Sequence, residues 1–343
     1  MMEFTRLGCQ VNAFTSYYET VYYFSTPADD FSVPLNMLLD FVQDFQVSVD
    51  SVEKEKGIIT QEYLMYQQIP EFRLMMELLK SVYHRLPLRY DISGDEKSIQ
   101  EISKDKLELA HKINYHPANM VLYIVTAKDP AEVLSIIESN QGKKNFGPLP
   151  KIEKVFPPEP KKVSREFLEL NMNLQQPKIA LAFKQELLPL EKREILRLSL
   201  LADCWLYVNF SSVNPEYQKW LDDGIINDSF SAEWDISAEY SLFLLWGDDL
   251  GKDFPAFFGS YLKQVRKQVL TAELLEQVKR RYLGMAISGL NNSENIALSS
   301  IRYGWWDCDY FDVIDFYLSL TIKDFSDLNA MLNLDHQAVV RIK

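Results

Sequence analysis

The feature of this sequence that most limits its possible folds is a stretch, residues 141–162, that suits neither helix nor strand. Among its lysines stand residues that interrupt regular structure: Gly142, Gly147, Pro148, Pro150, Pro157, Pro158 and Pro160. Glycine is costly inside a helix, and proline lacks the amide hydrogen that a helix or a central strand requires. We therefore expect a linker at 141–162 between a domain at 1–140 and a second domain at 163–343, as chain length also suggests.

The first domain is predicted to alternate strands and helices. Residues 8–25 are predicted to form a β-hairpin, because 11–15 and 20–25 are rich in β-branched and aromatic residues. The later elements are predicted helices at 35–45, 49–84 (interrupted at Pro70), 103–114 and 130–139, a polar loop at 86–101 and a buried strand at 120–125.

The second domain repeats this order in outline. Its predicted elements are strands at 167–174 and 178–183, a helix at 191–210, paired strands at 225–234 and 241–246, and helices at 254–270, 272–290, 294–303 and 310–320. The chain then ends with Lys323-Asp324, Asn333, His336 and an apolar strand, much as Lys104-Asp105, Asn114 and His116 precede the apolar residues 120–125.

This weak internal similarity falls at equivalent places, which indicates two copies of one structural unit. The predicted fold class is α+β. We expect two similar domains of metallopeptidase-like type, each with an antiparallel-rich mixed β-sheet covered by helices on one side.

Two carboxylates stand out in the longest predicted helix of the first domain. Glu55 and Glu62 are seven positions apart, and seven helical steps of about 100° return to nearly the same face. Both would lie on one side of the helix, with Ile58 and Ile59 available to pack it down. Most such pairs are solvated surface charges that repel each other modestly, so spacing alone assigns no function.

An ordered series of short motifs surrounds and follows Glu62. It consists of residues 55–62 with the pattern E-K-x-x-I-x-x-E, then Pro70-Glu71-Phe72-Arg73, Tyr83-His84 with Pro87, residues 94–99 with the pattern G-x-x-x-x-I, and Tyr115-His116-Pro117-Ala118-Asn119-Met120. This series resembles the pitrilysin/insulinase family of zinc peptidases, most closely its bacterial, processing-peptidase-like members. The resemblance extends over nearly all of the chain.

The resemblance implies a zinc site and a peptide-binding strand. In that family two histidines of an inverted H-x-x-E-H helix and a glutamate of a second helix bind zinc, and the glutamate between the histidines activates the zinc-bound water. Glu62 matches the third zinc ligand, and Glu55 matches a supporting carboxylate. Asn12, Ala13 and Thr15 match an exposed edge strand, to which a substrate peptide adds by main-chain hydrogen bonds.

The histidines of this chain do not supply the rest of that site. None of His84, His111, His116 and His336 lies in an H-x-x-E-H or H-E-x-x-H pattern, and we interpret all four as structural. A catalytic zinc needs about three protein ligands, so we expect zinc to be absent or weakly bound and the chain to be inactive alone. In the family the histidine helix precedes the strand at 8–15. The chain is therefore expected to be either a piece of a longer protein or a degenerate relative.

Charge and composition exclude some classes of binding partner and indicate the cellular compartment. The net charge of −13 argues against binding of nucleic acid, which requires clustered lysine and arginine. No stretch approaches the roughly 18 apolar residues of a membrane-spanning helix, so no membrane partner is expected. No secretory signal is recognised at the start. The scattered cysteines Cys9, Cys204 and Cys308 argue against a disulfide framework, and we expect a cytoplasmic protein.

Two functions remain open from the sequence. In the first, the chain belongs to a zinc endopeptidase that cleaves peptides held as an added strand. In the second, it is a non-catalytic peptide-binding or partner subunit, because members of this family often work in pairs in which one chain lacks the metal motif. The presence of both Glu55 and Glu62 favours the first function. We expect a homodimer or a related family subunit as the partner, since a lone chain would leave apolar faces exposed.

Overall fold

The computed structural model describes residues 2–27, 31–149, 151–153, 155, 157–187 and 189–343. The chain divides into two compact units. Unit 1 comprises Met1–Met65 and Asp91–Val155, and unit 2 comprises Tyr66–Tyr90 and Phe156–Lys343. The break after Val155 falls within residues 141–162, and the assignment of 66–90 to unit 2 follows from the packing of one helix, given below. The domain limits expected from the sequence stay a prediction.

The described residues form helices and strands close to those expected. In chain order the helices are α1 (Met2–Arg6), α2 (Ser32–Gln43), α3 (Val49–Gln67), α4 (Pro70–Val82), α5 (Glu96–Gln100), α6 (Lys104–Asn114), α7 (Pro130–Gln141), α8 (Lys192–Phe210), α9 (Tyr217–Asp222), α10 (Phe254–Val265), α11 (Ala272–Gly289), α12 (Ser293–Trp305), α13 (Tyr310–Ser319) and α14 (Ile322–Met331). The strands are β1 (Gln10–Thr15), β2 (Thr20–Ser25), β3 (Phe167–Leu170), β4 (Lys178–Lys184), β5 (Ser231–Ile236), β6 (Ser241–Asp248) and β7 (Gln337–Ile342). Short 3₁₀ turns lie at Pro87–Arg89 and Pro117–Asn119.

The predicted hairpin at the start of unit 1 is confirmed. β1 and β2 pair in antiparallel register from Gln10 opposite Ser25 to Thr15 opposite Thr20. A two-stranded hairpin is marginally stable alone, so it needs a packed face. That face joins a small core whose buried members are Phe4, Cys9, Leu38 and Val42, surrounded by the half-buried Val11, Tyr22, Phe24, Met37, Tyr115 and Met120.

Residues 120–125 do not form the buried strand that the sequence predicted. The segment is extended, but no strand of the described chain pairs with it, and Val121 is 64% exposed. A strand requires a neighbour that accepts and donates its backbone hydrogen bonds. The prediction was wrong because strand-forming side chains do not by themselves provide that neighbour.

Unit 2 is built on a five-stranded mixed sheet in the order β3-β7-β4-β6-β5. β3 and β7 are parallel, and the other neighbours are antiparallel. Side chains along β4 alternate between the two faces, as strand geometry requires. Ile179 and Phe183 enter a large core with residues of α8, α10, α13 and α14, whereas Ala180 and Ala182 enter a second core on the opposite face. The predicted α+β class with an antiparallel-rich mixed sheet is confirmed.

Helix α4 covers that opposite face, in addition to the helices expected on one side of the sheet. Leu74, Leu78 and Val82 recur every four residues along α4, and each is at most 1% exposed against the sheet. Pro70 stands in its first turn, where a missing amide is tolerated, so a second helix begins there as the sequence predicted. The preceding helix α3 ends at Gln67. The packing of α4 explains why residues 66–90 belong to unit 2.

Two local predictions need correction. The first of the paired strands begins at Ser231, not at 225, because residues 225–230 form turns before it. Residues 86–101 are not simply a polar loop, since Leu86, Leu88 and Ile99 are buried. A 3₁₀ turn and α5 place these three side chains inward.

Part of the stretch predicted as linker is fixed to unit 2 through Glu159. Its carboxylate accepts hydrogen bonds from the amides of His84 (2.7 Å), Arg85 (2.8 Å) and Leu86 (3.1 Å) and from Lys184 Nζ (2.8 Å). Burial alone would raise the pKa of Glu159, but the hydrogen bonds from Lys184 and the backbone outweigh it and hold the pKa below its ordinary value. Burial lowers the pKa of Lys184, and Glu159 opposes that shift.

Candidate functional site

The candidate metal ligand Glu62 and its neighbour Glu55 both lie on α3, a continuous helix of 19 residues. The start of α3 is held by reciprocal bonds, in which the amide of Ser48 donates to Ser51 Oγ and the amide of Ser51 donates to Ser48 Oγ, each at 3.1 Å. Only Val52 and Lys56 of α3 are buried, so most of its surface faces solvent.

Both carboxylates are exposed, and neither has an ion pair or a side-chain hydrogen bond within the described residues. Of the two lysines next to Glu55 in sequence, Lys56 is buried and pairs with Glu53 at 2.7 Å. No pattern in the sequence indicates that one lysine of this charged run is buried. Since its partner is Glu53, Glu55 and Glu62 remain available to an external cation.

Strand β1 presents Asn12, Ala13 and Thr15 as exposed residues. β2 is the only strand that pairs with β1 in the described chain, so the other edge of β1 is open. On that strand the amide of Ala13 donates to its neighbour Asn12 Oδ1 at 2.9 Å, and Thr15 Oγ1 lies 3.3 Å from Thr20 Oγ1. The predicted substrate-binding residues thus lie on an open edge, and one amide of the edge is satisfied only locally.

The histidines have structural partners. His111 Nε2 lies 2.9 Å from the Val42 carbonyl, and its ring stacks on Tyr115 with a centroid distance of 4.6 Å. His116 Nε2 lies 3.3 Å from the Gly147 carbonyl. In unit 2, His84 Nε2 lies 3.2 Å from the Lys162 carbonyl, and the His336 carbonyl accepts the amide of Lys184.

The described residues do not complete a zinc site. No group of three or more His, Cys, Asp or Glu side chains among them lies close enough to hold a metal ion. Glu55 and Glu62 offer at most two carboxylates, whereas a catalytic zinc uses three protein ligands and keeps one position open. The residues present therefore do not fit the complete metal site that the family resemblance implies.

Sequence reasoning missed one contact that positions the hairpin. Tyr22 on β2 and Tyr115 after α6 share a hydrogen bond of 2.8 Å between their hydroxyls. Burial, together with that hydrogen bond, raises the pKa of Tyr22. The two residues are 93 positions apart, and no local pattern links them.

A cavity of about 360 Å³ lies in unit 2. It is lined by Leu187, Leu190, Trp234, Arg266 and Leu334, among others. It contains none of the predicted zinc or substrate residues, so its size does not make it the candidate active site.

Two family models match this chain. Residues 1–96 match the model described as insulinase (peptidase family M16), and residues 101–212 match the model described as peptidase M16 inactive domain. The chain is 34% identical over 328 residues to the uncharacterized zinc protease YmfH of Bacillus subtilis, a match that covers 95% of this chain and 76% of YmfH. The family models and this relative together define a protein of the metallopeptidase class. Within that class, this chain belongs to the pitrilysin/insulinase family, peptidase family M16.

Other relatives agree with this assignment. An M16-like peptidase from Alicyclobacillus acidocaldarius superposes with a TM-score of 0.91 at 30% identity, over 100% of this chain and 82% of that chain. A protease from Helicobacter pylori shares the fold with a TM-score of 0.83 at 17% identity, over 100% of this chain and 83% of that chain. The mitochondrial-processing peptidase subunit beta of Blastocladiella emersonii is 28% identical over 142 residues, which are 41% of this chain and 30% of that subunit.

No helix of the described residues combines the length and apolar character needed to cross a lipid bilayer. The three cysteines are unpaired: Cys9 and Cys204 are buried and Cys308 is half-buried.

Proposed function

We propose that this chain supplies one zinc-binding carboxylate and a peptide-binding strand to a zinc metallopeptidase, and that alone it hydrolyses no peptide. The observation that carries the proposal is the state of Glu62, which is exposed on a regular helix and has no ion-pair partner among the described residues. A carboxylate in that state is free to bind a cation. The 34% identity to a relative named a zinc protease supports the same function.

Glu55 has a supporting role in this proposal. It lies two turns before Glu62 on the same helix face, so the two negative charges repel each other modestly without a cation. If a cation were held at Glu62, its charge would offset that repulsion, and Glu55 would support Glu62 from outside the ligand set.

The open edge of β1 binds the peptide. A peptide strand that adds to this edge offers a carbonyl to the Ala13 amide, which now donates to Asn12 Oδ1 at 2.9 Å. The methyl side chain of Ala13 leaves room for another backbone to approach. Asn12 therefore has to release the amide when a peptide binds.

Metal analysis tests the proposal. After dialysis we expect far less than one zinc per chain, and we expect the weak residual binding, measured by competition with a fluorescent chelator, to be lost in Glu62→Gln. Glu101→Gln is the matched control, since Glu101 is also an exposed carboxylate of unit 1. One zinc per chain, or residual binding that Glu62→Gln leaves unchanged, contradicts the proposal. The second result favours the non-catalytic partner function instead.

We propose a homodimer or a related family subunit as the partner, and a reducing, cytoplasmic location. The name of the Blastocladiella emersonii relative describes the beta subunit of a peptidase, which supports pairing. Three unpaired thiols support a reducing compartment. Light scattering at micromolar concentration tests the pairing, and a monomer there contradicts the homodimer.

A further inference from the structure

The cavity of about 360 Å³ in unit 2 has largely apolar walls. It is formed by the segment after β4, the turn between β5 and β6, the segment before β7 and parts of α8 and α14, so it lies at one end of the sheet. Its volume falls within the range of about 300–1,000 Å³ that is typical of small-molecule sites. The apolar side chains that line it include Leu187, Leu190, Ile195, Leu198, Trp234 and Leu334. Such walls suit a small ligand with apolar groups.

Hydrogen bonds within unit 2 hold these walls in place. Gln185 Nε2 donates to the carbonyls of Phe183 at 2.9 Å and Asn333 at 3.0 Å, and its Oε1 accepts the amide of Asn333 at 2.7 Å. Trp234 is 4% exposed, and its Nε1 donates to Ser241 Oγ at 3.3 Å. The cavity is therefore formed before a ligand binds, and the polar groups of Gln185 and Trp234 are already occupied.

The charged side chains of the lining differ in whether they have a partner. Glu186 pairs with Lys161 at 2.6 Å. Arg266 and Asp335 pair neither with each other nor with another charged side chain of the described residues. Both are exposed, so they lie on the solvent side of the cavity. One positive and one negative charge are thus available to a ligand that enters the apolar interior.

We propose that this cavity binds an apolar amino acid or an apolar dipeptide as a zwitterion. The Arg266 guanidinium donates hydrogen bonds to the ligand carboxylate, and the ligand ammonium donates to the Asp335 carboxylate. The apolar side chains of the ligand fill the space between the leucines and Trp234. Both termini of such a ligand are charged at neutral pH. Hydrolysis of apolar peptides is the class of reaction that supplies it.

Ligands with a single charge match this lining less well. An apolar monocarboxylate would pair with Arg266 but would leave Asp335 without a partner and add a second negative charge to the same cavity. An apolar amine would pair with Asp335 and leave Arg266 without a partner. Only a ligand with both charges complements both side chains.

Isothermal titration calorimetry of the full chain tests this inference with L-leucine and the dipeptide Leu-Leu as probes. We expect saturable binding of at least one of them, and the tighter of the two shows how many residues the cavity accepts. Three analogues each lack one feature: 4-methylpentanoate has no ammonium, 3-methylbutylamine has no carboxylate, and Gly-Gly has no apolar side chain. Loss of either charge is expected to weaken binding about fivefold or more relative to leucine. Gly-Gly should bind at least about tenfold more weakly than Leu-Leu.

Variants locate the binding in the cavity. Arg266→Gln and Asp335→Asn should each weaken binding of the tighter probe about fivefold or more, because each removes one charged partner. Lys267→Gln and Asp228→Asn are the matched controls, since both residues are exposed charges of unit 2 outside the lining, and both should leave the affinity unchanged. Urea denaturation verifies that all four variants are folded.

Three results overturn the inference. The first is the absence of saturable binding of both probes at millimolar concentration. The second is binding of 4-methylpentanoate or 3-methylbutylamine as tight as that of leucine, which would show a site for one charge only. The third is an affinity that neither Arg266→Gln nor Asp335→Asn changes. None of these readouts depends on zinc, on Glu62 or on peptide hydrolysis, so the inference and the proposed function can fail separately.

Discussion

The two units contain one sequence pattern with two structural outcomes. In unit 2, α14 leads through a turn into β7, which lies inside a five-stranded sheet with Val340 fully buried. In unit 1, α6 leads through a similar turn into residues 121–125, which pair with no described strand and leave Val121 64% exposed. The difference teaches that a β-branched sequence sets only the extended backbone. Neighbouring strands decide whether it becomes a buried strand.

The units also differ in the burial of the ion pairs that join segments far apart in sequence. Unit 2 buries Lys184 against Glu159, with side chains 7% and 14% exposed. Unit 1 pairs Lys144 with Asp40 at 2.7 Å, but the Asp40 side chain is 50% exposed. Removing one partner of a buried ion pair costs far more stability than removing one partner of an exposed pair, because the remaining buried charge is not solvated.

The largest expected effect comes from breaking the buried pair. Glu159→Gln leaves Lys184 buried without its counter-charge and weakens the acceptor of three backbone amides, so we expect a loss of about 3–5 kcal/mol in the unfolding free energy of unit 2. Urea denaturation followed by tryptophan fluorescence measures this, since every tryptophan lies in unit 2. The matched variant Asp40→Asn is expected to lower the unfolding free energy of unit 1 by at most about 1 kcal/mol. Hydrogen–deuterium exchange at β1 and β2 measures this loss. Equal losses of stability in the two variants would contradict the expected difference between the buried and the exposed ion pair.

The same pair predicts a pH dependence. The folded-state pKa of Glu159 lies below its ordinary value of 4.5, so its contribution is complete above that pH. It is lost as the pH falls through the lower folded-state value. The stability difference between the wild type and Glu159→Gln should therefore be constant near neutral pH and shrink below about pH 4.5. A difference that grows on acidification contradicts this assignment.

Matched valine substitutions test the two strand-forming segments directly. Val340→Ala removes two buried methyl groups and leaves a cavity, so we expect a loss of about 2–3 kcal/mol. Val121→Ala removes methyl groups that already contact solvent, and we expect a change of at most about 0.5 kcal/mol. Urea denaturation measures the stability loss of Val340→Ala in unit 2, and hydrogen–deuterium exchange measures that of Val121→Ala in unit 1. A large loss for Val121→Ala would mean that residues 121–125 are already paired in solution.

The smallest effect is expected at the candidate metal ligands. Glu62→Gln and Glu55→Gln remove exposed carboxylates with no ion pair among the described residues, so each should change the stability of unit 1 by less than about 0.5 kcal/mol. Glu53→Gln is the matched control on the same helix, because it deprives the buried Lys56 of its partner. The Glu53 side chain is 61% exposed, so we expect a loss above that at Glu62 but at most about 1 kcal/mol. A stability loss at Glu62 equal to that at Glu53 would indicate a structural role for Glu62.

Much of the fold was predictable because its signals are local. The break at Pro70, the hairpin at the start and the strand at 178–183 follow from backbone restriction and strand-forming side chains, and the structure confirms each. The position of Glu55 and Glu62 on one helix was predictable for the same reason. Their roles as supporting carboxylate and zinc ligand stay a prediction.

The sequence by itself determined most of the helices and strands, although not α9 or α14, and its motifs determined the family. Only the tertiary structure decided that α4 joins the second sheet, that Lys56 and Lys184 are buried, and that β7 is paired while residues 121–125 are not. The physical reason is the range of the interactions. Helix periodicity and proline act over a few residues, whereas strand pairing and ion-pair burial depend on groups far apart, such as Glu159 and the amide of His84, 75 positions away.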